Sequence, residues 1–113
     1  MVRRGEIYLV SLDATRGREQ RGQRPALVIQ NDSGNEFSAT TMVAVMSTQA
    51  NAGYHFRVEV QPDEGGLREA STIMLDQIRT VDQTRLRDRL GKASPAVMEE
   101  VDRALHHSLG LLD

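Results

Sequence analysis

The chain has 113 residues, room for one domain around one apolar core and too little for a second. A formal net charge of −2 excludes a polycation that coats nucleic acid through its bulk field, and the absence of Cys excludes a disulfide framework, a thiolate nucleophile and a Cys-based metal site. No signal-like apolar stretch and no run of about 18 apolar residues occurs, so a soluble, cytoplasmic protein with no membrane partner is expected.

In chain order, Ile7 to Leu12 reads as a short apolar strand. Ala26 to Gln30 and Thr41 to Met46 are near-continuous apolar runs between polar clusters, the pattern of core strands. Phe56 to Val60 alternates, which predicts one buried and one solvated face. Thr72 to Leu75 and Gln77 to Val81 are separated only by Asp76, which predicts a strand that bends or bulges. A short helix is admissible over Thr84 to Leu90, with Leu86 and Leu90 inward. The period then changes: Ser94 can cap, Pro95 fits the first helical position, and Val97, Val101, Ala104, Leu105, Ser108 and Leu112 share one face. That predicts an amphipathic helix over 95–109, stopped at Gly110 and docked on the sheet. Several short strands with turn signals predict a small mainly β barrel or sandwich with a C-terminal α-helix. No repeat, low-complexity tract or linker divides it, so residues 1–113 are expected to form one domain. The connections at about 13–23, 31–40, 47–55 and 61–70 are long for so small a fold, and long ordered loops carry function.

The basic residues are thirteen Arg and one Lys, and within residues 1–24 six Arg face only Glu6, Asp13 and Glu19. Arginine's planar fork binds phosphate bidentately and stacks on bases, which an ammonium cannot do. The stretch "GREQRGQRP" at 17–25 concentrates guanidinium groups immediately before a core strand. No HExxH, EF-hand, Walker A or GxSxG pattern occurs. His106 and His107 are adjacent and point about 100° apart on a helix, and His55 has no partner in sequence, so a structural role is expected for all three. What remains is Arg24, the hydroxyl pair Ser47 and Thr48 after the apolar run, and the polar loop Arg16 to Gln23.

An arginine at the start of one core strand and hydroxyls at the end of another meet if the strands are antiparallel neighbours. Such a site has no strong nucleophile and suits a substrate that brings its own, as RNA does in its 2′-hydroxyl. The protein then needs only to stabilise charge on the phosphoryl oxygens and help move protons.

The stretches "RRGEIYLVSLDATRGREQRGQRPALVIQND", "VAVMSTQ" and "EASTIMLDQIRTVD", in that order over nearly the whole chain, resemble the MazF/PemK family of toxin endoribonucleases. The resemblance implies an SH3-like, PemK/CcdB-like β-barrel with a C-terminal helix, acting as a homodimer. It implies metal-independent cleavage of single-stranded RNA at short motifs, needing no cofactor and leaving a 2′,3′-cyclic phosphate and a 5′-hydroxyl. A cognate antitoxin protein would block the site. The family's catalytic arginine falls on Arg24 and its catalytic threonine at Ser47, with Thr48 next to it. Serine keeps the hydroxyl but lacks the methyl that stiffens the rotamer, so Ser47 and Thr48 both stand as candidates. Arg16, Arg18, Glu19, Gln20, Arg21 and Gln49 are the implied RNA-binding residues, with Gln20 able to donate to and accept from base edges.

Two other classes compete. One is a toxin of the same barrel architecture that binds and poisons DNA gyrase without cutting RNA. The other is a non-catalytic RNA-binding module, disfavoured because two Phe and two Tyr are too few for a usual stacking platform. An acidic antitoxin segment that folds on binding would suit the local Arg excess at Arg16, Arg18 or Arg21.

Overall fold

The computed structural model describes residues 1–12 and 22–111. Six strands form one antiparallel sheet: β1 (Glu6–Leu12), β2 (Gly22–Val28), β3 (Thr40–Ser47), β4 (Arg57–Val60), β5 (Ser71–Asp82) and β6 (Leu86–Lys92). Their order across the sheet is β4-β5-β3-β2-β1-β6. Helix α1 (Asp32–Phe37) joins β2 to β3, and helix α2 (Pro95–Ser108) closes the described chain. The architecture is the mainly β one expected, with its C-terminal helix.

Neighbouring residues along the central strands alternate between two apolar clusters. Ile7, Leu27, Met46 and Ile73 belong to one, which also receives Val101 and Ala104 of α2. Val10, Ala26, Val28, Val45 and Met74 belong to the other. Helix α2 forms as its sequence predicts, with Ser94 accepting a hydrogen bond from the Val97 N–H (3.2 Å), Pro95 at its start and Gly110 at φ +72° beyond its end. Its docking is fixed by the Ser108 hydroxyl donating to the Leu75 carbonyl (2.6 Å) and by the Arg4–Asp102 ion pair (2.7 Å).

The bend anticipated at Asp76 is present. Ala44 pairs with Ile78 and Met46 with Ile73, a step of five residues in β5 against two in β3. Three expectations need correction. Thr84 to Leu90 is not helical: after the 3-10 turn Gln83–Arg85 the chain extends as β6. The i, i+4 spacing of Leu86 and Leu90 fits both periods, and an irregularity opposite β1 sends Leu86 to one cluster and Leu90 to the other. The connection 31–40 contains α1, begun by the Asn31 side chain accepting from the Gly34 N–H (2.7 Å). Strand β2 starts at Gly22 rather than Ala26, so Arg24 and Pro25 lie inside it. Pro25 is tolerated there because it pairs with Leu9 of β1 while the β2–β3 pairing begins only at Ala26.

The two ends of the sheet meet. The 3-10 turn Glu64–Gly66, which follows β4, lies so close to β6 that a Cβ on Gly91 would collide with the Gly65 carbonyl, and one on Gly66 with the Leu90 carbonyl. Gly91→Ala is therefore expected to destabilise the fold by about 1–3 kcal/mol, measured by denaturant unfolding, as an overpacked contact that only backbone movement can relieve.

At the start of β1, Glu6 accepts from the Arg3 N–H (2.7 Å), the Arg89 guanidinium (2.8 Å) and the Tyr8 hydroxyl (3.1 Å). Burial pushes its pKa up, but these donors together outweigh that and hold it below its ordinary 4.5. A carboxylate lowered in the folded state contributes stability that is present above its unfolded pKa and lost as pH falls through the folded one. Unfolding free energy should thus drop more steeply between about pH 5 and about pH 3 in the natural protein than in Glu6→Gln, as read from denaturation midpoints at each pH.

Candidate active site

The pairs Ala26↔Val45, Leu27↔Ala44 and Val28↔Val43 set β2 and β3 as antiparallel neighbours. Continued by two residues, that register puts Arg24 across from Ser47, and both side chains then share the face of Ala26, Val28, Val43 and Val45. Arg24, Ser47, Thr48, Gln49 and Ala50 line one cavity of about 280 Å³. The start of one core strand and the end of its neighbour thus bring the expected guanidinium and hydroxyls together.

Ser47 is half-buried, and its Oγ accepts from the Gln49 N–H (3.1 Å), which fixes the side chain and leaves its own proton to be donated. Thr48 is exposed and also lines a second cavity of about 240 Å³ with Pro25, Leu67 and Leu90, on the side opposite Arg24. By register Ser47 shares the strand face of Arg24, while Thr48 lines both cavities. Arg4, Arg57 and Arg89 are each tied to a carboxylate at 2.7–3.0 Å, whereas among the described residues Arg24 has no ion-pair partner and is exposed. Exposed as it is, its fork can meet an anion, and a guanidinium and a hydroxyl donor lining one cavity can hold the non-bridging oxygens of a phosphodiester. Arg16, Arg18, Glu19, Gln20 and Arg21 lie outside the described residues. Among those described, no three His, Asp or Glu side chains gather as metal ligands.

The connection after Ser47 is pinned at successive carbonyls. The Thr72 hydroxyl donates to the Ala50 carbonyl (3.4 Å), and Arg57 Nη1 donates to that of Asn51 (3.0 Å). The remaining fork of Arg57 meets Asp76 bidentately, at 3.2 and 3.0 Å, with 15% of its side chain exposed. Tyr54 and Phe56 stack at 5.1 Å with their planes 12° apart, and the Arg57 guanidinium sits 5.2 Å from the first ring centre and 5.8 Å from the second. Two of the chain's four Phe and Tyr residues thus come together on the connection that leaves the cavity, a grouping that their number alone had disfavoured. His55 has a partner too, the ring of His107 on α2 at 5.3 Å. Sequence reading missed Arg57 and Asp76 because their contact depends on the β4–β5 pairing, in which Arg57 stands beside Met74, and missed the ring pair because it is set by the local turn before β4. The one available signal was the aromatic spacing i, i+2 leading into an alternating strand.

Residues 3–109 match the family described as PemK-like, MazF-like toxin of type II toxin-antitoxin system. Among solved structures, the fold is similar to an endoribonuclease in complex with its cognate antitoxin from a mycobacterial species. That match has 26% identity and a TM-score of 0.84, over 100% of this chain and 99% of that one. It is also similar to MazF from Deinococcus radiodurans, at 28% identity and a TM-score of 0.78 over 96% of each chain. The MazE-MazF structure from the same organism matches at 27% identity and a TM-score of 0.75, over 98% and 97% of the two chains.

The Arg57–Asp76 clasp makes a prediction independent of any activity. Asp76→Asn should speed amide hydrogen exchange across residues 50–56 by roughly tenfold, the loss of about 1.5 kcal/mol from a charged hydrogen bond, while core amides of β2 and β3 keep their protection.

Proposed function

The chain belongs to the PemK-like, MazF-like toxin family of type II toxin-antitoxin systems, and from that premise we propose that it is an endoribonuclease cutting single-stranded RNA at a short motif by 2′-hydroxyl transesterification. Its one domain, residues 1–113, works in the cytoplasm as a homodimer, and a cognate antitoxin neutralises it by covering the Arg24 cavity. Supporting the last point, a similar solved structure is an endoribonuclease held by its cognate antitoxin. The observation that carries the chemistry is the meeting of Arg24 and Ser47 at one rim of the sheet, in a cavity open to solvent.

The reaction is an in-line exchange at phosphorus. The 2′-oxygen forms a bond to phosphorus, the bond from phosphorus to the 5′-oxygen breaks, and the 2′-hydroxyl's lost proton is balanced by one gained at the departing oxygen. Charge on the non-bridging oxygens rises as the fifth bond forms. Arg24 meets that charge with its fork, and Ser47 donates its hydroxyl proton in a hydrogen bond to the same group. Neither depends on a metal, because a guanidinium and a hydroxyl that is already an acceptor bind the anion directly. Arginine's high pKa makes it a charge stabiliser rather than a general base. Gln49, exposed on the cavity rim, contacts RNA, as do Arg16, Arg18, Glu19, Gln20 and Arg21 of the preceding connection.

The test is cleavage of mixed-sequence single-stranded RNA in EDTA. Arg24→Ala should lower the rate by about 100- to 1000-fold, on the order of 3–4 kcal/mol, and Ser47→Ala should cost more than Thr48→Ala. A 2′-deoxy residue at the mapped site should abolish cutting there, with 5′-hydroxyl ends on products of the unmodified RNA. Cutting that survives 2′-deoxy substitution overturns the transesterification reading, and no cutting by folded, antitoxin-free protein overturns the endoribonuclease itself.

A further inference from the structure

We propose that Tyr54, backed by Phe56 and Arg57, is a stacking platform for one nucleobase flanking the scissile phosphate. The inference rests on the ribonuclease reading above and adds to it a binding subsite on the connection between β3 and β4. Tyr54 leaves 48% of its surface in water although its ring lies nearly parallel to that of Phe56. An aromatic ring half in solvent on a loop is not there to fill a core, and a preorganised ring pair lowers the entropy cost of adding a third flat group. Its rigidity has a visible source: Arg57 lies over both rings and is itself fixed by Asp76 and the Asn51 carbonyl.

The same contacts decide which part of a nucleotide is bound. The Arg57 fork is neutralised by Asp76 and occupied by a backbone carbonyl, so it offers little to a phosphate. What the block presents to water is the exposed half of Tyr54, and an aromatic ring can stack on any base. Its position follows from the chain. Ala50 lines the Arg24 cavity, and Asn51, the next residue, accepts from Arg57, so the platform and the cavity are joined through one peptide unit. RNA threaded with its reacting phosphate at Arg24 and Ser47 brings a flanking base to Tyr54. Stacking is tolerant of base identity, so Tyr54 strengthens and orients substrate binding, and reading of the motif falls to groups that reach base edges.

The natural chain contains no Trp, so Tyr54→Trp installs a single reporter at the platform. Its fluorescence is expected to be quenched on titration with a short mixed-sequence 2′-O-methyl RNA, which cannot undergo the reaction, and not with an abasic strand of equal length. In parallel, Tyr54→Ala should raise KM for RNA by about 10- to 100-fold with kcat nearly unchanged, while Tyr54→Phe, which keeps the ring, stays within about twofold of the natural protein. Cleavage intact with no quenching, or KM unmoved in Tyr54→Ala, overturns the platform and leaves the ribonuclease standing. Quenching without any cleavage by the natural protein supports the platform and overturns the ribonuclease.

Discussion

The register of β2 against β3 is the constraint from which the site follows. Side chains alternate with a period of two, so a slip of one residue would carry Arg24 to the opposite face and away from Ser47. Apolar patterning does not prevent that slip, because both faces are buried here: Ala26 and Val28 lie in one cluster, Leu27 and Ala44 in the other. A polar clasp at the far end of the strand pair supplies the missing specification. Asn35 of α1, 2% exposed, donates to the Gln30 carbonyl (3.0 Å) and accepts from the Thr41 hydroxyl (2.6 Å) and the Gln30 amide (3.1 Å). Shifting β3 by one residue would strand these groups, and each buried polar group left unsatisfied costs about 1–3 kcal/mol. The clasp lies at one end of the strand pair and the Arg24 cavity at the other, with paired sheet between them.

Elements whose signals are local were legible in the sequence. Helix α2 declared itself through a cap, a proline and a 3.6-residue period, and the bend in β5 through the single acidic residue between two apolar runs. Elements fixed by distant partners were not. Strand β6 carries Leu86 and Leu90 at a spacing common to helix and strand, and only pairing with β1 decides between them. Strand β2 extends back to Gly22 because β1 offers Leu12 to Gly22 as backbone partners, although polar Gly22, Gln23 and Arg24 give no strand pattern. Helix α1 is short enough that its stability comes from the Asn35 network rather than from periodicity.

The same division runs through the candidate site. Arg24, Ser47 and Thr48 could be named because a guanidinium and hydroxyls bracket two apolar runs, and antiparallel pairing of those runs brings them together. The support beneath them could not. Arg57 and Asp76 are 19 positions apart and meet through the β4–β5 pairing, which sets Arg57 across from Met74, two residues before Asp76. The charge economy of the fold is likewise visible only in three dimensions. Arg4, Arg57 and Arg89 are spent on carboxylates that fasten α2, the β3–β4 connection and β6, and Arg24 is among the described arginines without such a partner. A net charge of −2 therefore does not preclude an exposed guanidinium at the cavity.

The serine at position 47 fits the same logic of local fixation. Threonine's methyl restricts its rotamer by sterics, and a serine in its place would ordinarily sample more than one well. Here the Gln49 N–H donates to Ser47 Oγ, closing a tight turn that holds the oxygen at the cavity wall. The turn also orders the chain that leads to Ala50, whose carbonyl is bound by Thr72, a residue of β5 whose neighbour in the β3 register is Ser47 itself. Ser47, Gln49, Ala50 and Thr72 thus form a closed circuit of backbone and hydroxyl contacts around the strand end. Within it, the rotamer of one small side chain depends on two strands and the connection that follows β3, and the methyl's steric role is taken by hydrogen-bond geometry.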